Sequence, residues 1–204
     1  MHVLSLIAHP RPDSYCHAIS QRARDCIASS GHTVAHHDLY LEEFDPCLKA
    51  DEAYTVGDTL EDALSRSDDQ VVLEHRKQIQ LADGLLVVHP NWWGKPPAIL
   101  AGWMDRVLVP GVAYRLQAAD GPPEALLHAK IAVVFNTSDT EAERERNELG
   151  DPLESIWERC VLPYCGVETY RRHVFGPVGS STQGARERWL KDSEEICRAA
   201  FPSH

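Results

Sequence analysis

His9, Arg11, Ser14 and His17 lie close together directly after an apolar run, and their types suit the capture of a phosphate. A helix opening at Ser14 would turn its unpaired N–H groups and the positive end of its dipole toward this stretch, and both attract an oxyanion. The same serine also suits a plain N-cap, with His9 as an ordinary satisfied polar group. A second stretch, Pro90-Asn91-Trp92-Trp93-Gly94, follows another apolar run and offers two adjacent indoles. Side chains alternate along extended backbone, so the two cannot both point inward. At least one is exposed or lines a cleft, where it suits a flat ring, and Gly94 lets backbone approach that ring. The third stretch, Asn136-Thr137-Ser138-Asp139, is polar throughout. It offers amides and hydroxyls to the edge of a heterocycle, or else a turn and an N-cap for the next helix.

Each stretch needs a strand to deliver it. Residues 2–8 (HVLSLIA) and residues 85–88 are short apolar runs of buried-strand length, as are residues 131–135 (IAVVF), and residues 33–38 and 167–174 complete a set of five. Helical periodicity fills the gaps. It spans residues 14–30, closed by Gly31, then about 71–82, then a widely apolar helix in which Ile99, Trp103 and Val107 recur every four residues. Helices over residues 152–162 and 183–200 follow. Strands alternating with helices predict a doubly covered parallel sheet in which right-handed crossovers leave few topologies open; of these the order 2-1-3-4-5 is chosen, and its carboxyl edge gathers all three stretches. Residues 39–57 read as an unusually long connection, and the acidic residues 58–70 as solvated surface. With no internal repeat and no linker, residues 1–204 read as one domain.

Composition narrows the partners. The chain carries 20 Lys and Arg against 31 Asp and Glu, and the net charge of −11 opposes nucleic acid as a main partner. No apolar run reaches the length of a membrane span, and the N-terminus lacks a basic segment of the signal-peptide kind, so a cytoplasmic protein is expected. The six cysteines include no Cys-x-x-Cys pair, which predicts reduced thiols and no metal site. His36 and His37 invite a metal reading, but neighbouring strand residues face opposite sides of a sheet, so both read as structural. No Gly-x-Gly-x-x-Gly follows the first strand, so the dinucleotide fingerprint is absent.

Three segments, LIAHPRPDSYCHAI, DLYLEEFDPCLKADE and VVHPNWWGKPPAILAGWMDRVLVPGVAY, bring a family into view. The last is the most specific, through Pro90, Trp93, Pro97, Ala98, Ile99, Leu100, Gly102, Trp103, Asp105, Arg106, Gly111, Ala113 and Tyr114. The chain resembles the flavodoxin-like NAD(P)H:quinone oxidoreductases, which include the DT-diaphorases and small bacterial flavin reductases. The resemblance implies a flavin, FMN or FAD, with its phosphate held around His9, Arg11, Ser14, Tyr15 and Cys16. Its ring would be cradled by Pro90, Asn91, Trp92, Trp93 and Gly94, and the residues of the third loop, Asn136, Thr137, Ser138 and Asp139, are the candidates to donate to its edge. It further implies NAD(P)H as electron donor, a quinone-like acceptor, ping-pong two-electron transfer and a homodimer with the site at the subunit boundary.

Two departures stand out. Many members carry Thr-Thr-Gly-Gly after the fourth strand, then a Tyr and a His that assist charge on the reduced flavin. Here neither Tyr nor His lies between Asn136 and Trp157, so no catalytic residue is assigned. Lys95 stands where a small residue is common. The charge-rich residues 141–148 read as a solvated helix or a lid that could deliver Arg144 or Arg146. The alternatives are an electron-transfer flavoprotein and a non-catalytic regulatory subunit of the same fold.

Overall fold

A computed structural model describes residues 1–118 and 120–203. Five parallel strands form its main sheet: β1 (His2–Ile7), β2 (Thr33–Asp38), β3 (Gly84–Pro90), β4 (Ile131–Thr137) and β5 (Thr169–Phe175). Their spatial order is 2-1-3-4-5, the one chosen among the topologies that right-handed crossovers leave open. β3 is buried along its whole length, which explains why its sequence reads as a continuous apolar run.

The pleat divides the core. Val3, Ile7, Leu86, Val88, Val133 and Phe135 face α1 (Tyr15–Ser29) and the final helix, Gln183–Ala200. Leu4, Leu6, Leu85, Val87, Ala132 and Val134 face the opposite layer. That layer holds α2 (Leu60–Ser65), α3 (Gln70–Leu81) and α4 (Ala98–Val107), and the helices after β4 follow. These are α5 (Ala142–Asn147) and α6, residues 152–164, whose middle, Ser155–Val161, is π-helical. The last helix, Gln183–Ala200, is then α7.

Residues 58–70 depart in part from the sequence expectation. Most of them face solvent as expected, but Asp58, Ala63 and Ser67 are buried and the stretch contains α2, opened by a Thr59–Asp62 capping box. Asp69 caps α3 and reaches Arg106 at 3.1 Å. The reason is tertiary. Arg106 on α4 is fully buried, and Glu52, in the long connection, meets it in a two-pronged ion pair of 2.7 and 2.6 Å. Arg106 Nη1 also donates to the Asp45 carbonyl at 2.6 Å. The connection crosses α4 so closely at Gly102 that a Cβ there would lie 2.0 Å from the Pro46 carbonyl oxygen. Carboxylates that look surplus in the sequence neutralise one buried guanidinium.

Candidate active site

The carboxyl ends of β1, β3 and β4 open into a cleft of about 490 Å³. His9, Arg11, Ser14, Tyr15 and Cys16 line it from the first loop, Pro90, Asn91 and Trp92 from the second, and Thr137, Ser138 and Asp139 from the third. Pro10, Thr140 and Val178 complete the wall. Backbone bonds sew the loops together: Ala8 N–H donates to Val88 at 3.1 Å, and Asn91 N–H to Thr137 at 2.7 Å.

At the first loop Ser14 caps α1 by accepting the His17 N–H, while the first-turn N–H groups of Tyr15 and Cys16 have no helical carbonyl ahead of them. Burial lowers the His9 pKa and favours the neutral ring, whose Nδ1 accepts from Arg11 N–H at 3.1 Å. Arg11 is exposed beside Asp13 at 3.4 Å. Two residues contribute less than their types suggest. The Tyr15 hydroxyl donates to the Arg186 carbonyl at 2.6 Å, tying α1 to α7, and burial pushes its pKa up to about 12. The Cys16 thiol is buried against the Thr137 hydroxyl at 3.2 Å, and burial raises it to about 12, so it is inert at neutral pH.

The second loop contains a tight turn. Trp92 and Lys95 exchange backbone hydrogen bonds of 3.2 Å, and the two residues between them, Trp93 and Gly94, take positive φ of 59° and 69°. This is the primed turn of hairpins, which glycine adopts freely and tryptophan only at a cost of about 1–3 kcal/mol. The two indoles therefore separate. Trp92 is partly covered and lies 5.8 Å from the His9 ring, while Trp93 is 96% exposed and lies outside the cleft wall. Gly94 also lies outside that wall. A Cβ on it would sit 2.9 Å from the Pro152 side chain, and its N–H donates to Asn91 Oδ1 at 3.0 Å.

Asn136 turns away from the cleft, although its neighbours line it. Its side chain is fully buried, with Nδ2 3.0 Å from His89 Nε2 and Oδ1 accepting from Arg172 Nε at 2.8 Å. The Trp157 indole donates to the same His89 nitrogen at 2.9 Å, and His89 Nδ1 lies 2.9 Å from the Pro90 carbonyl. These partners describe a neutral imidazole with its proton on Nδ1, and burial holds its pKa down at about 4. Arg172 closes the chain with a two-pronged pair to Asp151 of 2.9 and 2.7 Å. His89, Arg172, Asp151 and Trp157 were not singled out from the sequence. The available signal was His89 itself, a lone polar residue in the apolar run LLVVHP.

The charge-rich residues 141–148 form α5, anchored by one buried residue, Glu145, which accepts from Asn91 Nδ2 at 2.9 Å. Arg144 pairs with Glu148 at 3.0 Å, and both Arg144 and Arg146 are exposed, outside the cleft wall. Beside α3, His37, Glu42 and His75 come close enough to share a metal ion. Their hydrogen bonds describe something else. The Trp103 indole donates to His75 Nδ1 at 2.8 Å, which leaves the proton on Nε2, pointing at Glu42 2.9 Å away, and occupies the nitrogen a metal would need. His36 faces the other side, toward Ser5 at 3.2 Å.

The comparisons agree with this geometry. A family described as having a flavodoxin-like fold matches residues 1–196. An uncharacterized NAD(P)H oxidoreductase of Haemophilus influenzae is 29% identical over 94% of this chain and 91% of its own length. Human ribosyldihydronicotinamide dehydrogenase (quinone) is 30% identical over 89% of this chain and 84% of its own. The solved NAD(P)H:quinone oxidoreductase of Methanothermobacter marburgensis superposes with a TM-score of 0.80 at 25% identity, covering 100% of this chain and 98% of that one. The chain belongs to the flavodoxin-like family, on its NAD(P)H:quinone oxidoreductase branch. It is an enzyme of that kind. No helix among the described residues is long and apolar enough to cross a membrane.

Proposed function

We propose that the protein binds FMN in the cleft between the three strand ends and passes two electrons from NAD(P)H to a quinone or similar flat acceptor, in ping-pong order. The observation that carries this is the convergence, in one cleft, of anion donors, an aromatic wall and a polar edge, each from a different strand. The cleft has the size of a small-molecule site. The uncapped N–H groups at the start of α1, with Ser14, His9 and Arg11, fit a phosphate. Bound there, the flavin would supply the hydride and two-electron chemistry. Pro90, Asn91 and Trp92 would hold the ring, and Thr137, Ser138 and Asp139 its polar edge, where negative charge is best met by fixed donors. The third loop is held for this purpose: Ser138 N–H donates to Phe175 at 3.1 Å, and Asp139 accepts from Gly179 N–H at 2.6 Å. One cleft shared by donor and acceptor requires the oxidised nicotinamide to leave before the quinone enters.

Trp93 supports a homodimer with the cleft at its boundary, since a strained and fully exposed indole beside the cleft is covered if a second copy docks there. The molar mass by light scattering is expected to be that of a dimer, with Trp93→Ala shifting it toward monomer. For the flavin, the visible spectrum after FMN is added and excess removed tests the reading, followed by NADPH without oxygen. A retained yellow band that bleaches supports it. Failure to retain FMN, or retention without bleaching by either nicotinamide nucleotide, sinks it.

A further inference from the structure

A second hollow, of about 370 Å³, lies between the outer side of α1 and β2, separated from the cleft by Ser14, which lines both. Its wall carries Ser20, Arg24 and His36, with His17 and Asp13 toward Ser14. Several polar groups there have no use within the fold. Ser20 is 1% exposed, and its Oγ has no hydrogen-bond partner. Arg24 Nε is likewise buried and unpartnered, although Nη2 donates to Gln21 at 2.6 Å. Among the described residues no carboxylate lies within ion-pair distance of Arg24, in a protein whose acids outnumber its bases 31 to 20. Buried donors left unpaired cost on the order of 1–3 kcal/mol each, more where charge is involved, so they call for an acceptor.

His36 adds a further donor. Burial, reinforced by the Arg24 charge, holds its pKa at about 4, so the ring is neutral at physiological pH. Nδ1 lies 3.2 Å from the buried Ser5 hydroxyl, which can donate to it, and in the tautomer with the ring proton on Nε2 that nitrogen is a donor with no hydrogen-bond partner among the described residues. The nearby carboxylates are already engaged. Asp38 accepts from His17 and from the Tyr40 and Leu41 N–H groups, and Asp13 is exposed beside Arg11.

We propose that this hollow is an oxyanion site, in which Arg24, Ser20 and His36 donate to the carboxylate or phosphate end of a small metabolite. Arginine supplies the fork that matches two oxygens, Ser20 and His36 supply single donors, and the remaining volume takes the group that carries the anion. The proposal stands apart from the flavin reading, because none of these three residues lines the cleft.

The test is a titration of ¹⁵N-labelled full-length protein with FMN in excess, so that the phosphate end of the cleft is filled. Sodium phosphate and sodium acetate are added separately at constant ionic strength set with chloride, and the Arg24 Nε–Hε and His36 ring signals are followed. A saturable shift at both residues with either anion is expected, and the anion that gives it identifies the ligand class. Arg24→Met should abolish saturation, and Ser20→Ala should weaken binding on the order of tenfold, the effect of one hydrogen bond to a charged group. Ser20→Ala should leave the melting temperature unchanged or raised, because it removes an unpaired buried hydroxyl. Shifts that stay linear, that chloride reproduces, or that persist in Arg24→Met overturn the site.

Discussion

Arg106 and Arg172 both bury their side chains on the face of the sheet that carries α4, yet they perform different work. Arg106 is saturated by carboxylates, Glu52 in two prongs and Asp69 at 3.1 Å, and every partner belongs to the long connection or the start of α3. It fastens a loop to the fold. Arg172 has one carboxylate, Asp151, and spends its Nε on Asn136, which touches His89 beneath the cleft. It fastens the ends of three strands to one another. The same side chain thus serves cohesion in one place and the shape of a site in the other, and only its partners distinguish the two.

The contrast breaks most visibly at Glu52. Replacing it with Ala strands a buried guanidinium and should cost about 3–5 kcal/mol in urea unfolding, with FMN affinity unchanged while the protein stays folded. Arg172→Met should invert the pattern. A stability loss of about 2–3 kcal/mol is expected, with FMN affinity, measured by flavin fluorescence quenching, falling on the order of tenfold. Equal FMN loss in both variants would erase the distinction.

Acid should separate the two networks by pH. His89 is neutral when folded, with a pKa depressed to about 4 from 6.5, so the unfolded chain binds more protons between those values and stability falls as pH drops through that window. His36 contributes in the same window. Burial alone would raise Glu52, but its hydrogen bonds from Arg106 and Ser67 bring it to about 2 from 4.5. Its contribution is present above 4.5 and is lost as pH falls toward 2. Unfolding free energies across pH should flatten in the upper window for His89→Gln and in the lower for Glu52→Gln. The smallest effect belongs to Ser14→Ala, which removes the α1 cap at about 1 kcal/mol and should leave both arginine networks intact by chemical shift.

Much of the site was legible because strand ends, turn residues and a helix cap are local signals. Pro90 and the indoles after an apolar run, and Ser14 before a helical one, placed the cleft without any long-range contact. Trp93 and Gly94 were legible as a loop but not as a left-handed turn that ejects one indole. Asn136 looked like its three polar neighbours, and only the alternation of β4 shows that it points inward to His89 while Thr137 to Asp139 face the cleft. Asp69 looked like one more solvated carboxylate because its partner, Arg106, is distant in the chain.

By itself the sequence determined the alternation of strands and helices, the three loops and the family, since hydrophobic period, helix caps and a contiguous motif need no knowledge of what lies across the molecule. The tertiary structure alone decided the tautomer of His89, the burial of Asn136 and the neutralisation of Arg106, along with the unpaired donors of Ser20 and Arg24. Each of these depends on which polar groups folding removes from water together, and a buried group's chemistry is set by its spatial neighbours.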